Sequence, residues 1–244
     1  MENRLLYEIL PQPDETTCGP TCLHSVYRYY GDHLPLDEVI RGAGALQEGG
    51  TLAVFLGCHA LHRGYEATIY TFNLHVFDPT WFRPSAGSIS DRLRAQRDAK
   101  TSPKLRLTCD AYIEYLRLGG KLRMEVLTGN LIRKHLKSGA PILTGLSSTF
   151  LYQEARERPD DQPGVGLRFV HDDVAGYPQG HFVVLCGYDS VERDVLIADP
   201  LDPNPLAPEQ IYRADLDRVI GAVLLGIVTY DANLLIIRPS RGKV

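Results

Sequence analysis

The spacing of hydrophobic residues changes halfway along this 244-residue chain, and that change constrains the fold more than any other feature. In the first half, apolar residues recur at helical spacing, as Leu23, Val26 and Tyr27 do. In the second half, short apolar runs such as 181–188 and 195–198 are typical of buried strands. Helices first and antiparallel-type strands later predict an α+β fold.

The length fits a single domain covering 1–244, with a helical lobe over roughly 1–119 and a sheet lobe over roughly 120–244. The helical lobe is predicted to contain one short strand, 66–72, and helices at 18–30, 35–40, 51–63 (capped by Thr51) and most of 87–119. The sheet lobe is predicted to contain strands at 121–127, 141–146, 181–188, 195–198, 224–230 and 234–237, with helices at 130–137 (capped by Thr128) and 208–220. Residues 149–179 show no clear periodicity, and loops of that length are usually functional lids or disordered segments.

Charge and hydropathy exclude several classes of partner. The chain has 26 basic and 30 acidic residues, a net charge of −4, and no concentrated basic stripe, which argues against nucleic acid or an anionic membrane. The longest apolar run, 222–228, has seven residues, far short of the ~20 that span a bilayer. Five irregularly spaced cysteines favour a reducing, cytoplasmic compartment.

Cys18 is the strongest candidate for chemistry. It opens the segment 18–23, which has the pattern of the first turn of a helix. The positive end of a helix dipole favours a thiolate, which is the nucleophilic form of cysteine. Gln12, six residues upstream, has a side-chain amide that can stabilise an oxyanion together with the backbone N–H of Cys18.

A nucleophilic thiol needs a base that is itself held by a third group. Of the eight histidines, His181 begins a predicted strand, and the next strand ends at Asp199. If the two strands form a hairpin turning near 190–193, their pairing brings Asp199 close to His181. His171, beside two aspartates in the segment 149–179, is the rival base.

Structural explanations compete with these assignments. A buried cysteine is usually inert, and an Asp-Pro pair at a strand end is commonly a turn signal. Cys18, Cys22 and His24 are too few to form a structural zinc site, and no second pair has suitable spacing. Cys22 is most simply a core residue, although a reversible disulfide with Cys18 stays open.

Two blocks of the sequence resemble the C39-like family of cysteine peptidases. Residues 12–20 with 29–31 resemble its first half, and 180–184 followed by 195–200 resemble its second half. The resemblance implies a papain-like fold, in which a helical lobe carrying the cysteine packs on an antiparallel sheet carrying the histidine and aspartate. Without a membrane-spanning segment or a P-loop, the chain is more similar to the stand-alone bacterial type than to domains of exporters.

Carried over by position, the resemblance makes Cys18 the nucleophile, His181 the base, Asp199 its orienting partner and Gln12 the oxyanion donor. The implied activity is thiol-dependent hydrolysis of an amide, most simply a peptide bond, through an acyl-enzyme. It needs no cofactor or metal and takes a peptide or protein substrate. The sequence leaves open a transpeptidase, acyltransferase or deamidase with the same residues, a non-catalytic peptide-binding domain, and the oligomeric state.

Overall fold

The structure, a computed structural model, describes residues 2–46, 49–160 and 169–240. Within these residues, eight strands form one sheet. They are β1 (Glu2–Arg4), β2 (Tyr65–Thr71), β3 (Lys121–Arg123), β4 (Ile142–Ser147), β7 (Gly180–Asp189), β8 (Asp194–Ala198), β9 (Ile211–Asp215) and β10 (Asn233–Pro239). Two further strands, β5 (Glu157–Pro159) and β6 (Phe169–His171), form a separate antiparallel pair.

The strand order in the large sheet is β3-β2-β10-β4-β7-β8-β9, and β1 pairs with the far end of β7. All neighbours are antiparallel except β2 and β3, which run parallel. The central strands β4, β7, β8 and β10 are buried over most of their length, so that their continuous apolar runs replace the alternation of a half-exposed sheet.

Eight α-helices surround the sheet within the same described ranges. They are α1 (Cys18–Tyr29), α2 (Leu36–Gly42), α3 (Ala53–His62), α4 (Ile89–Ala99), α5 (Pro103–Arg117), α6 (Gly129–Lys137), α7 (Ser148–Tyr152) and α8 (Leu216–Leu225). The predicted core stripe of α1 is confirmed at Leu23, Val26 and Tyr27, which are buried. Tyr30, its last predicted member, follows the helix and is only half-buried. Helix α1 packs directly on β7, where the Cys22 thiol donates to the Phe182 carbonyl at 3.2 Å.

Two predictions in the second half were wrong. The helix expected over 208–220 is replaced by β9 and the first part of α8, because residues 211–215 pair along their whole length with β8. The strand expected over 224–230 is instead the end of α8 and a 3-10 turn over Gly226–Thr229. An apolar run of this length fits either a strand or a helix, and here it continues the helix that precedes it.

Smaller differences concern caps and strand ends. Thr51 does not cap α3, because its hydroxyl donates to the Gly44 carbonyl at 2.6 Å and the helix begins after Leu52. Thr128 does cap α6 as predicted, accepting from the N–H of Leu131. The strand expected over 121–127 ends at Arg123. The segment 149–179 contains most of α7 together with β5 and β6, while 161–168 lie outside the described residues.

The predicted α+β class is confirmed, as is the packing of the cysteine-bearing helix α1 on a largely antiparallel sheet that carries His181. The division into lobes over 1–119 and 120–244 stays a prediction; β1 and β2, from the first half of the chain, lie in the sheet. Across the three described ranges, no helix combines the length and the hydrophobicity needed to cross a membrane.

Candidate active site

Cys18 is the first residue of α1, and its side chain is only 8% exposed. Gly19 lets the start of this helix approach its neighbours, because a Cβ there would lie 2.4 Å from Cγ2 of Thr51 and 3.2 Å from the ring of Phe182. The close approach presses the N-terminus of α1 against the beginning of β7, which is where His181 lies. The sulfur is therefore held at the junction of helix and sheet.

The β7–β8 hairpin brings His181 and Asp199 together, as the sequence predicted. Val184 pairs with Ala198, so Asp199 follows the last paired residue and lies diagonally from His181 across the two strands. Nε2 of His181 is 2.8 Å from Oδ1 of Asp199. His181 also forms a hydrogen bond with the Cys18 side chain. Because Nε2 is engaged by Asp199, Nδ1 is the ring nitrogen left to make it.

The electrostatics of this group favour a charged imidazole. Burial alone would lower the pKa of His181, but the charge and hydrogen bond of Asp199, together with the bond to Cys18, raise it to about 10. Burial acts to raise the pKa of Asp199, and the imidazolium with the other hydrogen-bond donors outweighs it and lowers that pKa. The two shifts agree on one state, an imidazolium beside a carboxylate.

The Asp199 carboxylate has further partners that sequence reasoning missed. The hydroxyls of Tyr152 and Tyr212 donate to Oδ2 at 2.8 and 2.7 Å, and the N–H of Leu201 donates to Oδ1 at 3.0 Å. With His181, the carboxylate accepts four hydrogen bonds. No motif marks the two tyrosines. Tyr212 falls within the helix predicted over 208–220, and the structure instead makes 211–215 a strand with alternating burial.

Gln12 lies in the segment before α1 and lines the same cleft as His181. Its backbone N–H donates to the Pro200 carbonyl at 2.8 Å, which ties the segment before α1 to the residue after Asp199. Its side-chain amide donates to the Asp14 carbonyl at 2.9 Å. That bond uses one of the two amide N–H groups of the side chain.

Two clefts meet at His181. One, of about 220 Å³, is lined by Cys18, Thr51, Gly145, Phe182, Thr229 and Asp231 among others. The second, of about 110 Å³, is lined by Gln12, Ser148, Tyr152, Glu157 and Leu201 among others. Glu15, Gln179, Gly180 and His181 line both. A chain lying across both clefts would therefore pass over the imidazole, with the sulfur at the edge of the larger cleft.

The rival base, His171, is exposed and has a different acidic partner. His171 lies on β6, its side chain is 54% exposed, and its Nε2 is 3.5 Å from Oε1 of Glu157. Cys18 and Cys22 are both free thiols, and burial, followed by the nearby Cys18, raises the pKa of Cys22 well above its usual value. Cys22 is thus an uncharged core residue whose thiol is bonded to the backbone of β7.

Several solved structures are similar to the chain at low identity. Xylellain, a cysteine protease from Xylella fastidiosa, shares 14% identity with a TM-score of 0.45, covering 98% of this chain and 86% of its own. The peptidase domain of Streptococcus ComA shares 15% identity with a TM-score of 0.42, covering 96% and 99%. A double glycine motif protease from an AMS/PCAT transporter, in complex with its leader peptide, shares 14% identity with a TM-score of 0.46, covering 98% and 95%.

No curated protein is similar enough in sequence to count as a relative. Residues 114–216, however, match the model of the Peptidase_C39 like family. The matched part contains His181 and Asp199, and it leaves Cys18 and Gln12 outside. Over 114–216 the chain thus has the sequence pattern of the C39-like peptidases, and the family resemblance seen in the sequence is confirmed.

Proposed function

We propose that the protein is a cysteine peptidase that hydrolyses peptide bonds through an acyl-enzyme on Cys18. The observation that carries the proposal is the contact of a buried histidine with both a thiol at a helix N-terminus and a buried carboxylate. A nucleophile, a base within reach and a group that orients the base are the three parts that covalent acyl transfer requires. The C39-like sequence pattern over 114–216 supports the same chemistry.

The proposed reaction begins with an ion pair between the Cys18 thiolate and the His181 imidazolium. The sulfur attacks the carbonyl carbon, and the oxyanion accepts hydrogen bonds from the backbone N–H of Cys18 and the second amide N–H of Gln12. Nδ1 of His181 donates its proton to the leaving amine as the C–N bond breaks. Neutral His181 then takes a proton from water, whose oxygen attacks the thioester, and the acid product leaves with the thiolate restored. Asp199 keeps the ring oriented throughout.

An extended peptide is the substrate that the clefts fit best. They lie on both sides of His181, so residues before and after the scissile bond each have a wall to contact. The catalytic roles of Cys18, His181, Asp199 and Gln12, the single-domain organisation and the cytoplasmic location are parts of this proposal.

Alkylation by iodoacetamide tests the state of the thiol without a known substrate. Burial raises the pKa of every other cysteine: to about 12 for Cys58 and Cys186, and upward for Cys22 and Cys109. At pH 6 we therefore expect Cys18 alone to react, since only a thiolate attacks the reagent. Peptide mapping identifies the labelled residue, and slow or unselective labelling of the folded protein contradicts the proposal.

Two histidine variants then identify the base. His181→Ala should slow alkylation of Cys18 at pH 6 by at least about tenfold, because the thiolate loses its imidazolium partner. His171→Ala is the matched control and should react at the wild-type rate. The opposite result would make His171 the base.

Turnover distinguishes hydrolysis from the alternatives. The protein is incubated with a peptide mixture, with and without added amines, and the products are identified by mass. Hydrolysis adds one water across a peptide bond, transfer adds the amine, and Cys18→Ala should do neither. Products that persist with Cys18→Ala, while that variant keeps the wild-type circular dichroism, would refute the nucleophile assignment.

A further inference from the structure

We propose that Tyr152 and Tyr212 are positioning residues for this reaction. Their hydroxyls together fix Oδ2 of Asp199, so that Oδ1 faces Nε2 of His181 and the carboxylate stays ionised inside the protein. The inference rests on the proposed function, in which the imidazolium of His181 is paired with the Cys18 thiolate.

The first support is the burial of the carboxylate. Asp199 is 0% exposed, and a buried charge is stable only when hydrogen bonds replace its hydration. Each oxygen accepts two bonds: Oδ1 from His181 and the N–H of Leu201, and Oδ2 from the two phenols. The tyrosines therefore supply half of the donors that replace water, and every donor to Oδ2.

The second support is that both phenols stay protonated and so keep the proton that they donate to the carboxylate. Burial, followed by the Asp199 charge, raises the pKa of Tyr152 and of Tyr212 well above the usual value, so both hydroxyls stay protonated. Their side chains are 8% and 7% exposed, which keeps water from competing for Oδ2. Two further titratable groups interact with Asp199: His181 on β7 and the thiol of Cys22 on α1.

The third support is that the two hydroxyls come from different elements. Tyr212 is the second residue of β9 and pairs with Ile197 of β8, so the sheet fixes its distance from the end of that strand. Tyr152 ends α7, lines the smaller cleft, and its ring centroid is 6.1 Å from that of His181. The carboxylate is thus held from the sheet on one side and from the cleft wall on the other, which restricts its rotation about χ2.

Phenylalanine substitutions test the proposal, because they remove only the hydroxyl. Loss of one donor raises the energy of the carboxylate and shifts the Asp199–His181 pair towards its neutral form, which weakens the ion pair with the thiolate. We expect Tyr152→Phe and Tyr212→Phe each to slow alkylation of Cys18 by iodoacetamide at pH 6 by about tenfold, the effect of a hydrogen bond to a charged group. The double variant should be slower than either.

The control is Tyr115→Phe. Tyr115 is also buried, and its hydroxyl donates to the Lys121 carbonyl at 3.2 Å instead of to Asp199. This variant also loses one buried hydrogen bond, so it matches the general effect on stability, and it should react with iodoacetamide at the wild-type rate.

A second readout separates positioning from a general loss of structure. In a His181→Ala background, Tyr212→Phe should leave the alkylation rate of Cys18 unchanged, because the phenol acts only through the histidine. If the folded phenylalanine variants react at the wild-type rate, or if the tyrosine effect persists without His181, the positioning role is refuted. If wild-type Cys18 is itself unreactive at pH 6, the proposed function fails instead, so the two failures are distinguishable.

Discussion

Replacing Asp199 with asparagine should change how the stability of the protein depends on pH. In the folded state, burial opposes protonation of His181, but Asp199 and Cys18 raise its pKa to about 10. In the unfolded chain the pKa returns to about 6.5. Because the folded value is higher, the stabilisation is complete below about pH 6.5 and is lost as the pH rises towards 10. Since each pKa unit is worth about 1.4 kcal/mol, the difference of roughly 3.5 amounts to about 5 kcal/mol.

The asparagine keeps the size of the side chain and removes its charge, so burial then lowers the pKa of His181. In the proposed ion pair, the Cys18 thiol gives up a proton on folding while His181 gains one, so the comparison is made in a Cys18→Ala background, where the histidine proton alone is counted. In that background, from pH 7 up to the raised pKa of His181, the free energy of unfolding with Asp199 intact should fall by about 1.4 kcal/mol per pH unit relative to that with Asp199→Asn. Urea denaturation at three or four pH values measures both curves. The ring carbon shifts of His181 in NMR spectra should show imidazolium at pH 8 in the wild type and neutral imidazole in the variant.

Asp231→Asn is the matched control. Asp231 is also buried, but it accepts from the N–H of Ala53 and the amide of Asn233. Burial raises its pKa to about 7, so its own pH effect is nearly complete before the test range. Between pH 8 and 10, the free energy of unfolding of Asp231→Asn should therefore change with pH at the same rate as that of the protein that keeps Asp231. If the free energy of unfolding of Asp199→Asn also changes with pH at that same rate, the proposed charge on His181 is refuted.

Three further predictions concern stability. Because the pKa of Asp231 is raised to about 7 by burial, wild-type stability should fall from about pH 4 to 7, and urea denaturation should show that Asp231→Asn lacks this fall. Gly226→Ala places a Cβ 2.6 Å from the Asp231 carbonyl oxygen and 3.2 Å from Cα of Leu146. Because both are backbone atoms that cannot easily move aside, the substitution should lower the free energy of unfolding by about 1–3 kcal/mol, and an unchanged melting temperature would contradict this. Thr128→Ala removes the side chain that caps the N–H of Leu131, so urea denaturation should show a free energy of unfolding about 1 kcal/mol lower than that of the wild type. Thr128→Ser keeps a capping hydroxyl and should restore the wild-type value.

The sequence predicted the parts of the site that depend on local geometry. The helix beginning at Cys18 follows from its apolar stripe. The approach of Asp199 to His181 follows from a short connection between two strands, which fixes their register. The meeting of Cys18 with His181 joins positions far apart in the sequence, and it was predicted from the need of a thiol for a base and from the family resemblance, not from local geometry.

The errors arose where distant partners determine the local structure. Residues 211–215 have a helical pattern when combined with those that follow, but the edge of β8 pairs with them and makes them a strand. The two tyrosines on Asp199 were missed for the same reason. Tyr152 and Tyr212 reach one carboxylate oxygen only after α7 has packed against β4 and β7 and β9 has paired with β8, and no spacing in the sequence records that packing.

The position of β10 constrains the order in which the protein can fold. It lies between β2 and β4, with Thr71 opposite Asn233 on one side and Leu143 opposite Leu235 on the other. Until the ribosome has released that strand, β2 and β4 each expose an unpaired edge, and the sheet exists as two separate pieces. Such non-local closure slows folding. The β2–β3 pair therefore stays apart from the piece that contains β4 and β7 until the last described strand joins them.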